Sequence, residues 1–493
     1  MSEPSEDQTA PQARPATDST TGSFAAVDLG ATSGRVVLGR VGRDVLQVET
    51  VHRFENIPVR TPDGLHWNIL ELYRQILTGL AKAVERTPEL VSVGIDSWAV
   101  DYALVEGESL VGIPFHYRDQ RTSEGVQRVH AVVDHAALYA RNGLQFQPFN
   151  TVYQLAVDQG AGRLTKGRKV LLLPDLLSSW LTGRQVAERT NASTTGLLDL
   201  DSGGWDTVLM ERLGLPAALF PPTVDPGTIV GSLSPDVAKE IRARRRPDVV
   251  AVGSHDTASA VVGVPMGAGA AYISSGTWSL VGVELEKPVL TTASRKANFT
   301  NEGGVDGRIR YLKNVTGLWL LSESIRSWQR QGQRAELAEL LEQATAVTAK
   351  ISMFDVNEAS LQSPGDMPVR IAALCRAAGE PAPETPAQVV RSILESLAAA
   401  YAAAVNEAEE LSGLPIEAVH VVGGGSQNAL LCQLTADRTG RRVLAGPVEA
   451  TAIGNVLVQA RTAGRVSGSL EELRALVART FPPVEYRPSP VAG

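Results

Sequence analysis

A carboxylate at the corner between a strand and a helix is fixed by its backbone yet still open to a ligand. The run Val252-Gly253-Ser254-His255-Asp256-Thr257-Ala258-Ser259-Ala260 has this form. Asp248 to Val252 reads as a strand, a small-residue turn follows, and the residues after Thr257 can pack as a helix. Asp256 placed there could take a proton from a substrate hydroxyl. The alternative is an Asp that only satisfies its own turn.

Two stretches suit phosphate. In Phe24 to Gly39, an apolar run ends in Asp28, passes through Gly30, Ala31, Thr32, Ser33 and Gly34, and returns after Arg35 as a second apolar run. This is a β-hairpin whose tip offers backbone N–H groups, two hydroxyls and a cation. A plain turn is the other reading. Ala270 to Val283 repeats the design, with Ser274, Ser275, Gly276 and Thr277 at the tip. A third stretch, Gly423-Gly424-Gly425-Ser426-Gln427-Asn428, follows the short strand Val419 to Val422 and opens a helix through Thr439. Glycines before a helix N-terminus admit close approach by a nucleotide, although a tight turn would look the same. No G-x-x-x-x-G-K-[ST] run exists, which excludes a P-loop enzyme. No G-x-G-x-x-G joins a strand to a helix, which argues against a dinucleotide oxidoreductase.

The repeat of the hairpin after about half the chain organises the rest. Two related α/β domains facing each other across a nucleotide are expected, with the boundary in 264–269. The expected division is a disordered tail at 1–22, a sugar- and phosphate-binding domain at 23–265, an adenosine-binding domain at 266–465, and a C-terminal helix and tail at 466–493. Asn68 to Val84 reads as a helix, capped by Asn68 with Glu71, and burying Leu70, Tyr73, Leu77, Leu80 and Val84. Val91 to Asp96 reads as a strand, with Ser97-Trp98-Ala99-Val100-Asp101 at its C-terminal edge, where ligands of open α/β sheets bind. Trp98 could pack a sugar face or fill the core. Leu171 to Thr182 reads as a strand then a helix, whereas Phe146 to Thr151 and Thr190 to Gly196 read as loops. Ser392 to Leu411 is a long helix stopped by Gly413, and Ser469 with Glu472 caps the last one.

The bulk composition fits this size of machine. The chain has 493 residues, 43% of them hydrophobic and 20% charged, with a net charge of −8. An acidic balance argues against nucleic acid as the main partner. Two cysteines far apart, Cys375 and Cys432, form no metal or disulfide framework. Without a secretion signal or membrane-length apolar run, the chain reads as cytoplasmic, with no membrane partner.

These pieces together resemble the FGGY family of carbohydrate kinases, over about Phe24 to Ala463. The resemblance rests on both hairpins, on Gly94-Ile95-Asp96-Ser97-Trp98, on Gln145 to Thr151 and on Ser254 to Val261. Thr300-Asn301-Glu302-Gly303-Gly304, Leu312-Lys313-Asn314 with Gly317 to Leu321, and the triple glycine complete it. It implies the actin- and hexokinase-like fold of two ribonuclease H-like domains, with ATP and Mg2+. Within the family, the His-Asp-Thr-Ala-Ser-Ala run and the Leu-Lys-Asn segment resemble the branch that phosphorylates L-rhamnulose at O1. By resemblance, Ala31, Thr32, Ser33, Gly34, Arg35, Thr277, Ser322 and Gly424 bind ATP, and Asp28 acts near Mg2+. Ala99, His255, Asp256, Thr257 and Asn314 bind the sugar, and Asp256 is the general base. Position 99 is Ala where that branch has Gly, and 322 is Ser where it has Gln. Some relatives pair a cysteine near 375 with one near 392, which Ser392 prevents here. A monomer is expected, with a weak dimer as the alternative. The competing functions are a kinase for L-fuculose, xylulose or a similar ketose, and a non-catalytic nucleotide-dependent sugar sensor, which would have no need of the base.

Overall fold

The computed structural model describes residues 20–200 and 202–490. Most of the expected N-terminal tail therefore lies outside the described residues. The first strand is Gly22–Leu29, which starts one residue before the expected domain start at 23.

Two sheets carry the fold, and they repeat one plan. In the first, a six-stranded sheet, the order is Ile229–Ser232, Asp248–Val250, Ser92–Ser97, Gly22–Leu29, Ser33–Gly42, Val45–Glu55. The central strand Gly22–Leu29 turns back antiparallel into Ser33–Gly42 and lies parallel to Ser92–Ser97 on its other side. In the second, a seven-stranded sheet, Ala270–Ser275 turns back antiparallel into Trp278–Leu285 and lies parallel to Ala418–Val422. Arg442–Ala445 extends the parallel side, and Ile309–Thr316 with Thr300–Gly303 extends the antiparallel side. The central strands, buried on both faces, read as near-continuous apolar runs for that reason.

The halves exchange helices. Asp256–Val262 follows the first sheet, yet its Ala260 and Val261 pack with Tyr272, Leu280, Leu312 and Val422 of the second. Ala450–Thr462 follows the second sheet, yet Ala452, Ile453 and Val456 pack with Phe24, Ala26 and Val37 of the first. These two helices cross at glycines. A Cβ at Gly454 would stand 1.8 Å from the Ser259 carbonyl oxygen, and one at Gly263 would stand 2.1 Å from that of Ala450. The final helix Leu470–Thr480 also packs on the first sheet, and its Ser469 and Glu472 form the expected capping box.

Several local expectations change. Helix Ile69–Arg86 forms, but Asn68 makes no side-chain cap, and the Glu71 carboxylate pairs with Arg74 and Gln75 rather than reaching back to it. Leu77, Leu80 and Val84 are buried as expected, together with Ile69, Leu72, Ile76 and Ala83, whereas Tyr73 is half-buried and Leu70 is exposed. The pattern is shifted because Leu70 and Ile69 both fit an apolar stripe and only packing chooses between them. The triple glycine forms a 3-10 turn, and the helix proper is Ala429–Thr439, capped by the Asn428 side chain. Residues 190–196 are short buried helical turns rather than an open loop. The strand–helix at 168–182, and the long helix Pro386–Ser412 stopped at left-handed Gly413, are as the spacing predicts. Cys375 and Cys432 are buried and free.

Candidate active site

Between the two sheets lies a cleft of about 290 Å³, and both hairpin tips face into it. The first tip is a tight turn in which the Gly30 N–H donates to the Ser33 carbonyl at 2.8 Å. Asn56 braces it from the adjoining strand, donating to the Gly30 carbonyl at 2.9 Å. Ala31, Thr32, Ser33 and Arg35 line the cleft. Gly34 does not; it packs against Phe54, whose ring a Cβ would meet at 2.4 Å. The second tip brings Gly276 and Thr277 to the opposite wall, where the Gly276 and Thr277 carbonyls accept from Leu318 and Trp319. Gly424 completes that wall with open space around its Cα, while a Cβ at Gly425 would meet Ser275 Oγ at 2.0 Å. Gly423 has φ 77°, a left-handed conformation that favours glycine, and this lets the turn fold against the second hairpin. Ser322 is exposed on helix Trp319–Arg330 and does not line the cleft.

Asp28 and Asp256 both line the cleft. Asp28 Oδ2 accepts from Arg35 Nε at 2.8 Å and Nη2 at 2.7 Å, and Oδ1 has no hydrogen-bond partner among the described residues. Arg35 also pairs with Glu449, at the start of the exchanged helix Ala450–Thr462. Asp256 is the first residue of its helix and is half-buried. Its Oδ1 accepts from Thr257 Oγ1 at 3.1 Å and faces His255 Nε2 at 3.4 Å. Burial pushes the Asp256 carboxyl above its ordinary range, with Asp28 adding to the shift and His255 opposing it.

The turn before Asp256 is anchored from a distant segment. Fully buried Glu188 accepts from Ser254 N at 3.0 Å and Ser254 Oγ at 2.7 Å while capping its own helical turn at Thr190. His255 is set from the other side. Arg310 Nη2 lies 3.1 Å from His255 Nδ1, and Glu302 Oε2 lies 3.2 Å from the same nitrogen. His255 therefore has Arg310 and Glu302 at one ring nitrogen and Asp256 at the other. Burial works to raise the Glu302 carboxyl, but Arg310 and His255 outweigh it and hold it below the usual range.

Behind these groups stands Asp96, wholly buried, which accepts from Asn455 Nδ2 at 2.5 Å. Burial, and next the Asp28 charge, push its carboxyl well above the ordinary value. Trp98 is chiefly a core residue. Its ring lies 3.9 Å from that of Trp67, and its Nε1 donates to Asp101, although one edge reaches the cleft. Beside it, Ala99 lines the cleft and Val100 adopts φ 67°, a strained value for a β-branched residue. Asn314 lines the far wall on strand Ile309–Thr316, bonded to Gln145 of the first half.

The arrangement places two carboxylates, Asp28 and Asp256, and two phosphate-suited tips around one space. Family models match both halves of the chain. The N-terminal domain of the FGGY family of carbohydrate kinases matches residues 24–263, and the C-terminal domain matches 271–463. The chain belongs to the FGGY family of carbohydrate kinases. It is a carbohydrate phosphotransferase of the two-domain, actin- and hexokinase-like fold, taking a sugar and ATP. It is 41% identical to a rhamnulokinase of Klebsiella pneumoniae (strain 342) over 94% of both chains. It is 40% identical to one from Bacteroides thetaiotaomicron, over 96% of this chain and 97% of that one. Its fold is similar to the crystal structure of gluconate kinase from Lactobacillus acidophilus, with a TM-score of 0.78 at 13% identity over 95% of this chain and 94% of that one.

Within this kinase, the structure gathers Asp28, the first tip, Ala99, His255, Asp256, Thr257, Thr277, Asn314 and Gly424 at one cleft. Glu188, Asp96, Arg310 and Glu302 received no role from the sequence. Glu188 lies 66 positions from Ser254, and Arg310 lies 55 from His255, so no local spacing reveals them. Only Glu302 and Asp96 stood in stretches that carried the resemblance.

Proposed function

We propose that this kinase transfers the γ-phosphoryl group of ATP to O1 of L-rhamnulose, with Asp256 as general base. The names of its relatives at about 40% identity supply the sugar, and the open carboxylate of Asp256 beside both hairpin tips carries the chemistry. L-Rhamnulose is 6-deoxy, so C1 bears its only primary hydroxyl, the least hindered acceptor for an in-line transfer.

Phosphoryl transfer asks the protein mainly for position and charge. In this reading residues 23–265 hold the sugar and phosphates, and 266–465 hold the adenosine. Backbone N–H groups and hydroxyls of Ala31 to Arg35 cradle phosphates from one side, Thr277 from the other, and Gly424 leaves room for the adenosine end. Sugar hydroxyls meet His255, Thr257 and Asn314, and Ala99 adds a methyl group to that wall. Asp256 Oδ2, free of side-chain partners among the described residues, accepts the O1 proton as the oxygen attacks phosphorus.

Among the described residues no group of three or more His, Cys, Asp or Glu side chains converges to hold a metal. That fits Mg2+, which takes one or two carboxylates and completes its shell with water and substrate phosphates. Asp28 Oδ1 is open in the cleft for this role. Mg2+ there would offset phosphate charge.

Asp256→Asn keeps the shape and removes the base. Its kcat is expected to fall about 10²–10⁴-fold, with a smaller change in the KM for ATP. Turnover within twofold of the unmodified enzyme would refute the role.

A further inference from the structure

Gln145 is almost fully buried in the wall of the cleft, on the segment after helix His135–Asn142. Its Oε1 accepts from two groups of Asn314 across the cleft, the backbone N–H at 2.9 Å and Nδ2 at 3.0 Å. A backbone N–H can only donate, so the oxygen of the Gln145 amide must be the atom facing it. The NH2 group is thereby turned away, and among the described residues nothing accepts from it. Asn314 is oriented in the same way. Its Nδ2 is spent on Gln145, and its Oδ1 has no partner among the described residues.

We infer that Gln145 is a substrate-binding residue, whose two free N–H donors take an acceptor oxygen of the ketose while its carbonyl locks Asn314 in place. This rests on the sugar-kinase reading above. The pair sets donors from Gln145 beside an acceptor from Asn314, both in fixed orientation. An α-hydroxyketone offers the complement, a carbonyl oxygen that only accepts next to a hydroxyl that donates. Because the two residues come from opposite halves, the reader is complete only when the cleft is closed. Leaving buried amide donors unpaired disfavours any occupant that lacks the oxygen.

Two variants separate binding from bracing. Gln145→Glu keeps an oxygen for Asn314 and loses the donors; Gln145→Leu loses both. Initial rates against L-rhamnulose and against ATP are measured for each, with melting temperatures. The expected result is a fall in kcat/KM for the ketose of about 10²-fold or more in both variants. The KM for ATP should stay within twofold, and Gln145→Glu should melt like the unmodified enzyme. Three outcomes overturn the inference: Gln145→Glu as active as the unmodified enzyme, both variants unimpaired, or a Gln145→Glu loss that tracks a lowered melting temperature and a raised KM for ATP. If the unmodified enzyme phosphorylates no ketose, the sugar-kinase reading fails instead.

Discussion

Asp256 must be ionised to accept a proton, and its surroundings resist ionisation. Burial and Asp28 raise its pKa, and His255 lowers it. The sign follows directly: kcat/KM falls as the pH drops through that raised value, so the acidic limb lies above the ordinary Asp value of about 3.9. Removing the charge-stabilising neighbour, as in His255→Leu, should move the limb to still higher pH, and a pH–rate profile of both proteins checks this. A limb that stays in place or moves down would contradict it. Asp96 gives a contrasting test. Burial and the neighbouring Asp28 charge push its carboxyl toward the neutral form, and an amide has nearly the same shape as a neutral carboxyl. Asp96→Asn is therefore expected to keep kcat within about tenfold, whereas a loss as large as that of Asp256→Asn would mean Asp96 works as an anion. At this scale the sequence was legible where chemistry sits in one run, as at His255, Asp256 and Thr257. Gln145 stood in a stretch that carried the resemblance but received no role, because its partner Asn314 lies 169 positions away.

The elements that position these residues were legible where period and punctuation agreed. Apolar runs broken by Gly, Thr and Ser marked both hairpins, and Gly413 and Gly440 marked two helix ends. The exchange of helices Asp256–Val262 and Ala450–Thr462 was not legible, since both are small-residue apolar segments and nothing local says which sheet each will cover. The close crossing explains the small residues. A methyl group at position 454 would fall 1.8 Å from a backbone oxygen, and backbone cannot rotate away as a side chain can. Gly454→Ala should therefore cost about 1–3 kcal/mol, the usual range for overpacking, and urea unfolding should show a lowered midpoint. An unchanged midpoint would show that the crossing can open without loss. The same helix carries Asn455, bonded to Asp96, so Gly454→Ala should also lower kcat in the protein that remains folded.

As a whole, the molecule is held with its halves together. Arg118 of the first half lies 4.4 Å from the ring centroid of Trp319 and 5.6 Å from that of Trp278, and it donates to the Gln362 carbonyl of the second half. Phe146 N donates to Asn298 Oδ1 at 2.8 Å, and Gly303 N to Ser193 Oγ at 2.8 Å, along the same seam. A closed cleft keeps water from the transferred phosphoryl group. Arg118→Ala is expected to raise KM for both substrates several-fold, about 1 kcal/mol of lost closure, and to increase ATP hydrolysis without sugar. Unchanged values for all three would remove the latch from the account. The doubled α/β plan was legible from the repeated hairpin, but the seam was not, because its residues come from separate loops, strand ends and helix ends that share no spacing. The most direct test of the central claim is product formation by the purified enzyme with ATP, Mg2+ and a panel of L-rhamnulose, L-fuculose and D-xylulose, with phosphate position read by phosphorus NMR. The account predicts the highest kcat/KM for L-rhamnulose, phosphate on O1, and loss of both in Asp256→Asn. Sugar-independent ATP consumption alone, a different preferred ketose, or phosphate on another oxygen would contradict it.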